Sequence, residues 1–523
     1  MIAPGRAARA GLLAASVTLL VLLLAPLVLN ADGFLEAVHN GVTKYFPTGL
    51  LDLGIGTFGP YAKGLLFVGV CAGVLGAGAL TGWLLARYAG LGMGGPIYET
   101  VFVSGLTFLL AEVVVLPVFQ VGLFGSDFRG PVLPLHAPLA IGCVAFGVML
   151  TARVRRPTAA RVDAETSPAR SGLFGRRAFL GRAVAILGFG ALGGSGLTVA
   201  ARVIAAGSTN QVARGASPSD GFGPTPAITP LDHFYVVAKD VFPLAVDVSA
   251  WRLQVSGLVD RPLSLSLDQI RAMPAVEGYR TFQCISSRVT TYDQLIGNQR
   301  FAGVRVVDVL TAAGVRPSAT FVLWRAADGY TESLPLAVAR DPRTWLAYEM
   351  GPAGTLLRPE HGAPLRVIIA GRYGMKQPKF LTGIELADHD EDGYWEQRGW
   401  DKTAAVRVYS RIDQPGDQDQ VRANLPFAMY GIANAGDRGI SRVEVSADDG
   451  QTWQAAELET GDPAISALTW VRWRALSVTV PRVGTATLAV RATDGQGNVQ
   501  DAEPRPPLPS GATGYHRVPI VAT

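Results

Sequence analysis

The segment Tyr279-Arg280-Thr281-Phe282-Gln283-Cys284-Ile285-Ser286-Ser287-Arg288 sets one cysteine among polar and basic neighbours. Nearby positive charge lowers a thiol pKa and favours thiolate, the form that acts as a nucleophile or as a soft metal ligand. The competing reading is a small buried hydrophobe. The chain holds only three cysteines, and Cys71 and Cys143 lie in apolar runs. That excludes a disulfide scaffold and a four-cysteine zinc site built from this chain alone.

A second chemistry-bearing stretch runs from Glu360-His361 through Leu365-Arg366 to Arg372-Tyr373-Gly374-Met375-Lys376-Gln377-Pro378-Lys379. Arg366 sits just inside an apolar strand, where an unpaired guanidinium is costly, so an anionic partner is expected. Gly371 and Gly374 permit tight turns and close backbone approach. A solvated basic loop with an internal salt bridge is the alternative. The acidic run Asp388-His389-Asp390-Glu391-Asp392 reads as a solvated turn rather than a hard-cation site.

The elements that must position these residues are short and mixed. Trp251, Leu253 and Val255 alternate with polar residues as in a half-buried strand. Ser266-Leu267-Asp268-Gln269 reads as a capping box opening a helix that stops before Pro274. Residues 321–324 and 365–370 are candidate buried strands. Strands and helices do not alternate regularly, so an α+β domain is expected over 231–413. From about Gln414 the texture is all β. Asp449-Gly450 and Asp494-Gly495 mark turns, and an immunoglobulin-like β-sandwich is expected over 414–523.

The 523 residues are 49% hydrophobic and 17% charged, with a net charge of +4. General disorder is excluded, and nothing argues for nucleic acid. The apolar excess lies before residue 207. Five spans are expected, at about 12–29, 65–86, 101–119, 135–151 and 183–206, forming an all-α transmembrane bundle. Arg6, Arg9, Arg87 and a cluster from Arg153 to Arg182 place the N-terminus in the cytoplasm and everything after residue 207 outside it, on a multi-pass membrane protein. Gly69, Gly73, Gly78 and Gly82 mark a helix–helix contact. Glu112 is an intramembrane acid with no evident partner. His39 and His136 occupy loop and span-edge positions, which disfavours a bis-histidine haem. Arg176-Arg177 before an apolar run resembles a twin-arginine export signal and equally suits the positive-inside flank. Residues 207–230 read as a linker.

Several separated segments together carry a resemblance. "FQCISSRV" with "DQLIGNQRFAGVRVVDVL", "EHGAPLRVIIAGRYGMKQPKFL", "GYWEQRGW" with "YSRID", and "ISRVEVSADDGQTW" are similar to segments of the sulfite oxidase family of molybdopterin-dependent oxidoreductases. The resemblance covers about Thr229 to Asp501. It implies a sulfite-oxidase-type α+β molybdopterin domain and a C-terminal dimerisation domain. It also implies that Cys284 supplies the one protein thiolate to molybdenum, whose other sulfur ligands come from one molybdopterin dithiolene. Cofactor contacts are implied for His233, His361, Arg366, Lys376, Gln377 and Lys379, and Arg288 and Trp400 are candidate catalytic residues beside them.

Two departures bear on the substrate. Val237 stands where sulfite oxidases proper carry an arginine, and Trp400 stands where they carry a tyrosine. Valine cannot bind an oxyanion, and an indole donates through one N–H only. Arg280, Arg288 and Lys239 are candidates to supply the missing positive charge. The expected activity is two-electron oxygen-atom transfer on a small sulfur- or nitrogen-containing molecule by a membrane-anchored extracytoplasmic enzyme. The alternatives are a sulfite-oxidising enzyme proper, or a cofactor-free immunoglobulin-like binding module on a membrane stalk. No Cys-x-x-Cys-His motif is present, so a separate cytochrome or quinone-linked electron carrier is expected, and a homodimer is compatible.

Overall fold

The computed structural model describes residues 4–29, 33–45, 62–88, 96–119, 121, 123–125, 132–154, 221–240, 244, 246–290, 295–461 and 465–523. These residues fall into two compact units, one N-terminal and helical, the other comprising most of the chain beyond residue 207.

The helical unit contains α1 (Pro4–Leu29), α2 (Phe34–Tyr45), α3 (Ala62–Tyr88), α4 (Pro96–Leu110, continued by a π-turn at Ala111–Val115 and a turn at Leu116–Val118) and α5 (Val132–Val154). Four stretches are long and apolar enough to cross a membrane: Gly5–Pro26, Gly64–Leu85, Ile97–Val118 and Leu135–Arg153. They match the first four expected spans. The expected fifth, 183–206, and Arg176-Arg177 lie outside the described residues. Helix α2 was not foreseen. It buries Phe34, Leu35, Ala37 and Val38, and it places His39, expected in a loop, in a helix with only 1% of its surface exposed.

Half of the glycine stripe acts as expected. A Cβ at Gly78 would overlap Ala15 Cβ, and one at Gly82 would overlap the Ala7 carbonyl, so α1 and α3 touch backbone to backbone there. Gly69 and Gly73 face open space. Glu112 does have a partner, contrary to expectation. It is fully buried, and its Oε1 lies 2.6 Å from Nδ1 of His136 on α5.

In the second unit an α+β domain is built from β1 (Leu253–Gly257), β2 (Leu263–Leu265), β3 (Ala275–Gln283), β4 (Ile296–Arg305), β5 (Phe321–Ala326), β6 (Thr331–Pro335), β7 (Trp345–Met350), β8 (Arg366–Ile368) and β9 (Leu381–Ala387), with helices α6 (Leu267–Arg271) and α7 (Val306–Ala313). The capping box forms as read: the Ser266 hydroxyl accepts from Gln269 N–H, and Gln269 Oε1 accepts from Ser266 N–H. Gly314, at φ 69°, closes α7 in the left-handed conformation that an L side chain resists.

One sheet runs β2-β1-β9-β5-β6 and the other β3-β4-β7-β8. The second sheet is the important one. Strand side chains alternate between faces. Val304, Leu346 and Val367 therefore join Leu253, Trp324, Ile384 and Leu310 in the domain core. Phe282, Phe301, Trp345, Ala347 and Ile368 point to the opposite face, where they form a separate cluster with Phe234, Tyr235 and, at its margin, Cys284.

Strands between Tyr409 and Ala522 form a four-stranded and a five-stranded sheet. Ile412, Met429 and Trp473 of the first share a core with Val445, Val490 and Ile520 of the second. Residues 221–230, expected as a linker, pack between the two domains. Thr225 Oγ1 donates to Asp413 Oδ2 (2.6 Å), and the Ala227 carbonyl accepts from Asn298 Nδ2 (2.9 Å) and Trp470 Nε1 (3.0 Å).

Candidate active site

Cys284 is the first residue past β3. Its N–H donates to Leu295 O (2.9 Å), which extends the β3–β4 ladder, and its carbonyl accepts from Ser287 N–H (3.0 Å), which turns the chain away. The ladder holds β3 in register from Ala275 to Gln283. By the two-residue period Arg280, Phe282 and Cys284 share one face. The half-buried sulfur lies 3.1 Å from Ser286 Oγ.

The C-terminal domain braces this strand. Asn434 Nδ2 donates to Gln283 Oε1 (3.0 Å), Trp470 N–H donates to Thr281 Oγ1 (2.7 Å), and Thr281 N–H donates to Leu468 O (3.0 Å).

Strand β8 brings Arg366 to the same face. Its guanidinium stacks 4.5 Å over the Phe282 ring, and its Nη1 donates to the His361 carbonyl (3.1 Å). Its Nε has no hydrogen-bond partner, and among the described residues it forms no ion pair. Burial pulls its pKa down to about 10. His361 is buried edge-on against Phe234, with ring centroids 5.7 Å apart. Burial first, and then the positive charges of Lys379, Arg366 and Arg358, push it down to about 3. Lys379 Nζ donates to the Glu360 carbonyl (2.8 Å). Arg280 lies 3.8 Å over the Trp345 ring, with its Nε also lacking a partner, and burial lowers it to about 10.

Two buried guanidiniums, Arg280 and Arg366, thus lie on the face that carries Cys284, and neither forms an ion pair among the described residues. A buried cation normally has an anionic partner. Buried guanidiniums of this kind suit an anion-bearing ligand. A small cleft, partly open to solvent, lies alongside and is lined by Arg280, Phe282, Ile368, Arg372, Gln377 and Val406.

The remaining candidates divide. Trp400 is half-buried in a cluster with Ile285, Tyr373, Met375 and Val406, so it borders the Cys284 turn. Arg288 is half-buried four residues beyond Cys284, and Val237 is 38% exposed. His233 is exposed at the end of a 3-10 turn whose following residues, Phe234 and Tyr235, pack on the Phe282 cluster.

Lys376, expected at the cofactor, has its ammonium buried between Glu332 Oε1 (2.7 Å) and Glu396. Gln377 also works structurally as it stands: Oε1 accepts from Ile369 N–H (3.1 Å) and Nε2 donates to Arg372 O (2.9 Å). Sequence reasoning missed Tyr373, which is fully buried and raised to about 12 by that burial, with Cys284 adding to the shift. It also missed Glu332, Glu396 and Asn434. Their motif signals were nil, because each acts through a partner distant in sequence.

A half-buried cysteine on the face that carries the buried guanidiniums of Arg280 and Arg366 is compatible with a domain that holds an anionic ligand. Residues 240–395 match the family model described as the oxidoreductase molybdopterin binding domain, and residues 401–522 match the Mo-co oxidoreductase dimerisation domain. The chain is 36% identical over 167 residues to the uncharacterised oxidoreductase YuiH of Bacillus subtilis, covering 32% of this chain and 80% of that one. It is 30% identical over 320 residues to the mitochondrial sulfite oxidase of Drosophila melanogaster, covering 52% of this chain and 55% of the relative. The sulfane dehydrogenase SoxCD of Paracoccus pantotrophus superposes with a TM-score of 0.49 at 22% identity, over 59% of this chain and 90% of that one. The chain belongs to the sulfite oxidase family of molybdenum-dependent oxidoreductases, and its cofactor is molybdenum-molybdopterin. It spans about half the length of the curated sulfite oxidases it matches.

Proposed function

We propose that this protein is a membrane-anchored, extracytoplasmic molybdenum oxidoreductase that moves an oxygen atom to or from a small sulfur- or nitrogen-containing substrate. In this reading five helices anchor it, the fifth at 183–206, and the C-terminal domain is immunoglobulin-like and pairs two copies of the chain. The observation that carries the reading is the buried guanidinium of Arg366, which stacks on Phe282 of the face that carries Cys284 and forms no ion pair among the described residues.

Bound molybdopterin supplies a two-electron redox centre that the protein side chains themselves lack. Cys284 holds the metal through its thiolate. His233, His361, Arg366 and Lys379 hold the pterin and its phosphate, since guanidinium, ammonium and imidazole donors match an anionic, polar heterocyclic ligand. The face formed by Phe234, Phe282 and Trp345 excludes water from one side of it. Arg288 and Trp400 flank the approach to Cys284 and orient the substrate. Val237 presents methyl groups where a guanidinium would bind an oxyanion, which favours an uncharged substrate such as a sulfoxide or N-oxide. A sulfite-oxidising enzyme is the second reading, supported by the retained dimerisation domain and the likeness to sulfite oxidases. Electrons pass to or from a separate cytochrome or quinone-linked carrier.

Elemental analysis of the full chain, made in a host that synthesises the cofactor, tests the proposal. About one molybdenum per chain is expected, and a metal-free protein sinks it in favour of a binding module. A panel of sulfite, S-oxides and N-oxides then separates the two enzyme readings.

A further inference from the structure

Lys376, Glu332 and Glu396 form a deeply buried ionic group of the α+β domain, with side-chain exposures of 1%, 1% and 3%. They come from three elements. Glu332 is on β6, Lys376 ends the 3-10 turn Gly374–Lys376, and Glu396 begins the 3-10 turn Glu396–Arg398. The first turn follows Tyr373, and the second lies between Trp395 and Trp400. Those three aromatic residues share the cluster that contains Ile285, next to Cys284.

Two carboxylates around one ammonium carry a net negative charge when both are ionised. Burying that charge is costly, and like charges sharing a site force one of them to keep its proton. The geometry leaves room for the proton. Oε2 of Glu332 and Oε2 of Glu396 are both buried without a hydrogen-bond partner among the described residues. Gly393 allows the approach, because a Cβ there would overlap Glu396 Oε2 and lie 3.0 Å from Glu332 Oε1.

The other titratable groups around the cluster make contacts of their own. Tyr330 donates its hydroxyl to Met375 O (2.6 Å), and Tyr394 packs on the Tyr330 ring. Asp390 accepts from Ser333 and pairs with Lys402 (3.1 Å), and Asp328 adds negative charge near Tyr330. The cations Lys239 and Arg398 lie over the Tyr394 ring, at 5.8 and 3.6 Å.

We propose that Lys376 is a positioning residue, clamped by Glu332 and Glu396 with a single proton held between the two carboxylates, and that this clamp fixes the 373–377 turn against the 393–400 turn beside Cys284. Burial, with Glu396 adding and Lys376 opposing, pushes Glu332 up to about 8. The sign follows. Stabilisation from holding the proton is complete below the ordinary glutamate pKa and is lost as pH rises through about 8. A plain salt bridge would behave oppositely, weakening only in acid.

The test uses the full chain in detergent, melted at intervals from about pH 5 to about pH 9. Glu332→Gln keeps the shape and mimics the protonated acid. The wild type is expected to lose about 5 °C or more of melting temperature relative to Glu332→Gln across this range. Parallel curves overturn the proposal. In the loaded protein Lys376→Met is expected to lower molybdenum retention about tenfold, with Lys376→Arg restoring it. Full retention by Lys376→Met overturns the positioning role. Only this second arm rests on the molybdopterin reading; the melting arm decides the proton clamp even in a metal-free chain.

Discussion

Asn434 Nδ2 donates to Gln283 Oε1 at 3.0 Å, and Gln283 immediately precedes Cys284. The donor belongs to the β-rich domain and the acceptor to the α+β domain, and both side chains are buried. The cysteine therefore ends a strand whose last residues are braced by the neighbouring domain.

Asn434→Ala leaves Gln283 Oε1 buried without this donor. Unfolding by denaturant should show a loss of about 1–3 kcal/mol. Metal analysis after dialysis should show faster loss of molybdenum than in a surface variant of equal stability.

Arg366 separates loaded from unloaded protein by sign. With no ion pair among the described residues, its buried guanidinium is a cost, which the anionic cofactor offsets in the proposed function. Arg366→Met should leave the cofactor-free chain as stable as the wild type or more so. It should weaken cofactor retention by about 10–100-fold. Melting curves on both forms check the two signs.

The glycine stripe gives a paired control within α3. Gly78→Val forces α1 and α3 apart and should cost about 1–3 kcal/mol. Gly73→Val adds a side chain in open space and should be close to neutral. Thermal unfolding in detergent compares them directly.

His516 is buried in the β-rich domain, and its Nδ1 accepts from Ile412 N–H (2.8 Å). Burial first, and then Arg411, push it down to about 3. A depressed histidine contributes stability above its unfolded pKa, near 6.5, and loses it as pH falls toward 3. The penalty should reach about 2 kcal/mol at pH 5. His516→Asn, which cannot charge, should flatten that part of the stability curve measured by denaturant titration.

Much of the site was legible because strand periodicity is local. Arg280, Phe282 and Cys284 alternate, as do Arg366 and Ile368, so a reader of the chain can assign each set to one face before knowing where that face points. The four apolar helices, the capping box at Ser266 and the turns at Asp449 and Asp494 are legible for the same reason, since residues within one or two turns of each other decide them. Tertiary structure alone decided which polar ends meet. Lys376 looked like a ligand for an anion and lies between Glu332 and Glu396. Glu112 looked solitary and faces His136, and of four similar glycines only Gly78 and Gly82 pack against a neighbouring helix. The physical reason is that a charged group takes whichever partner chain folding brings within about 3 Å. That proximity is set by the packing of whole sheets and helices, which no local spacing encodes.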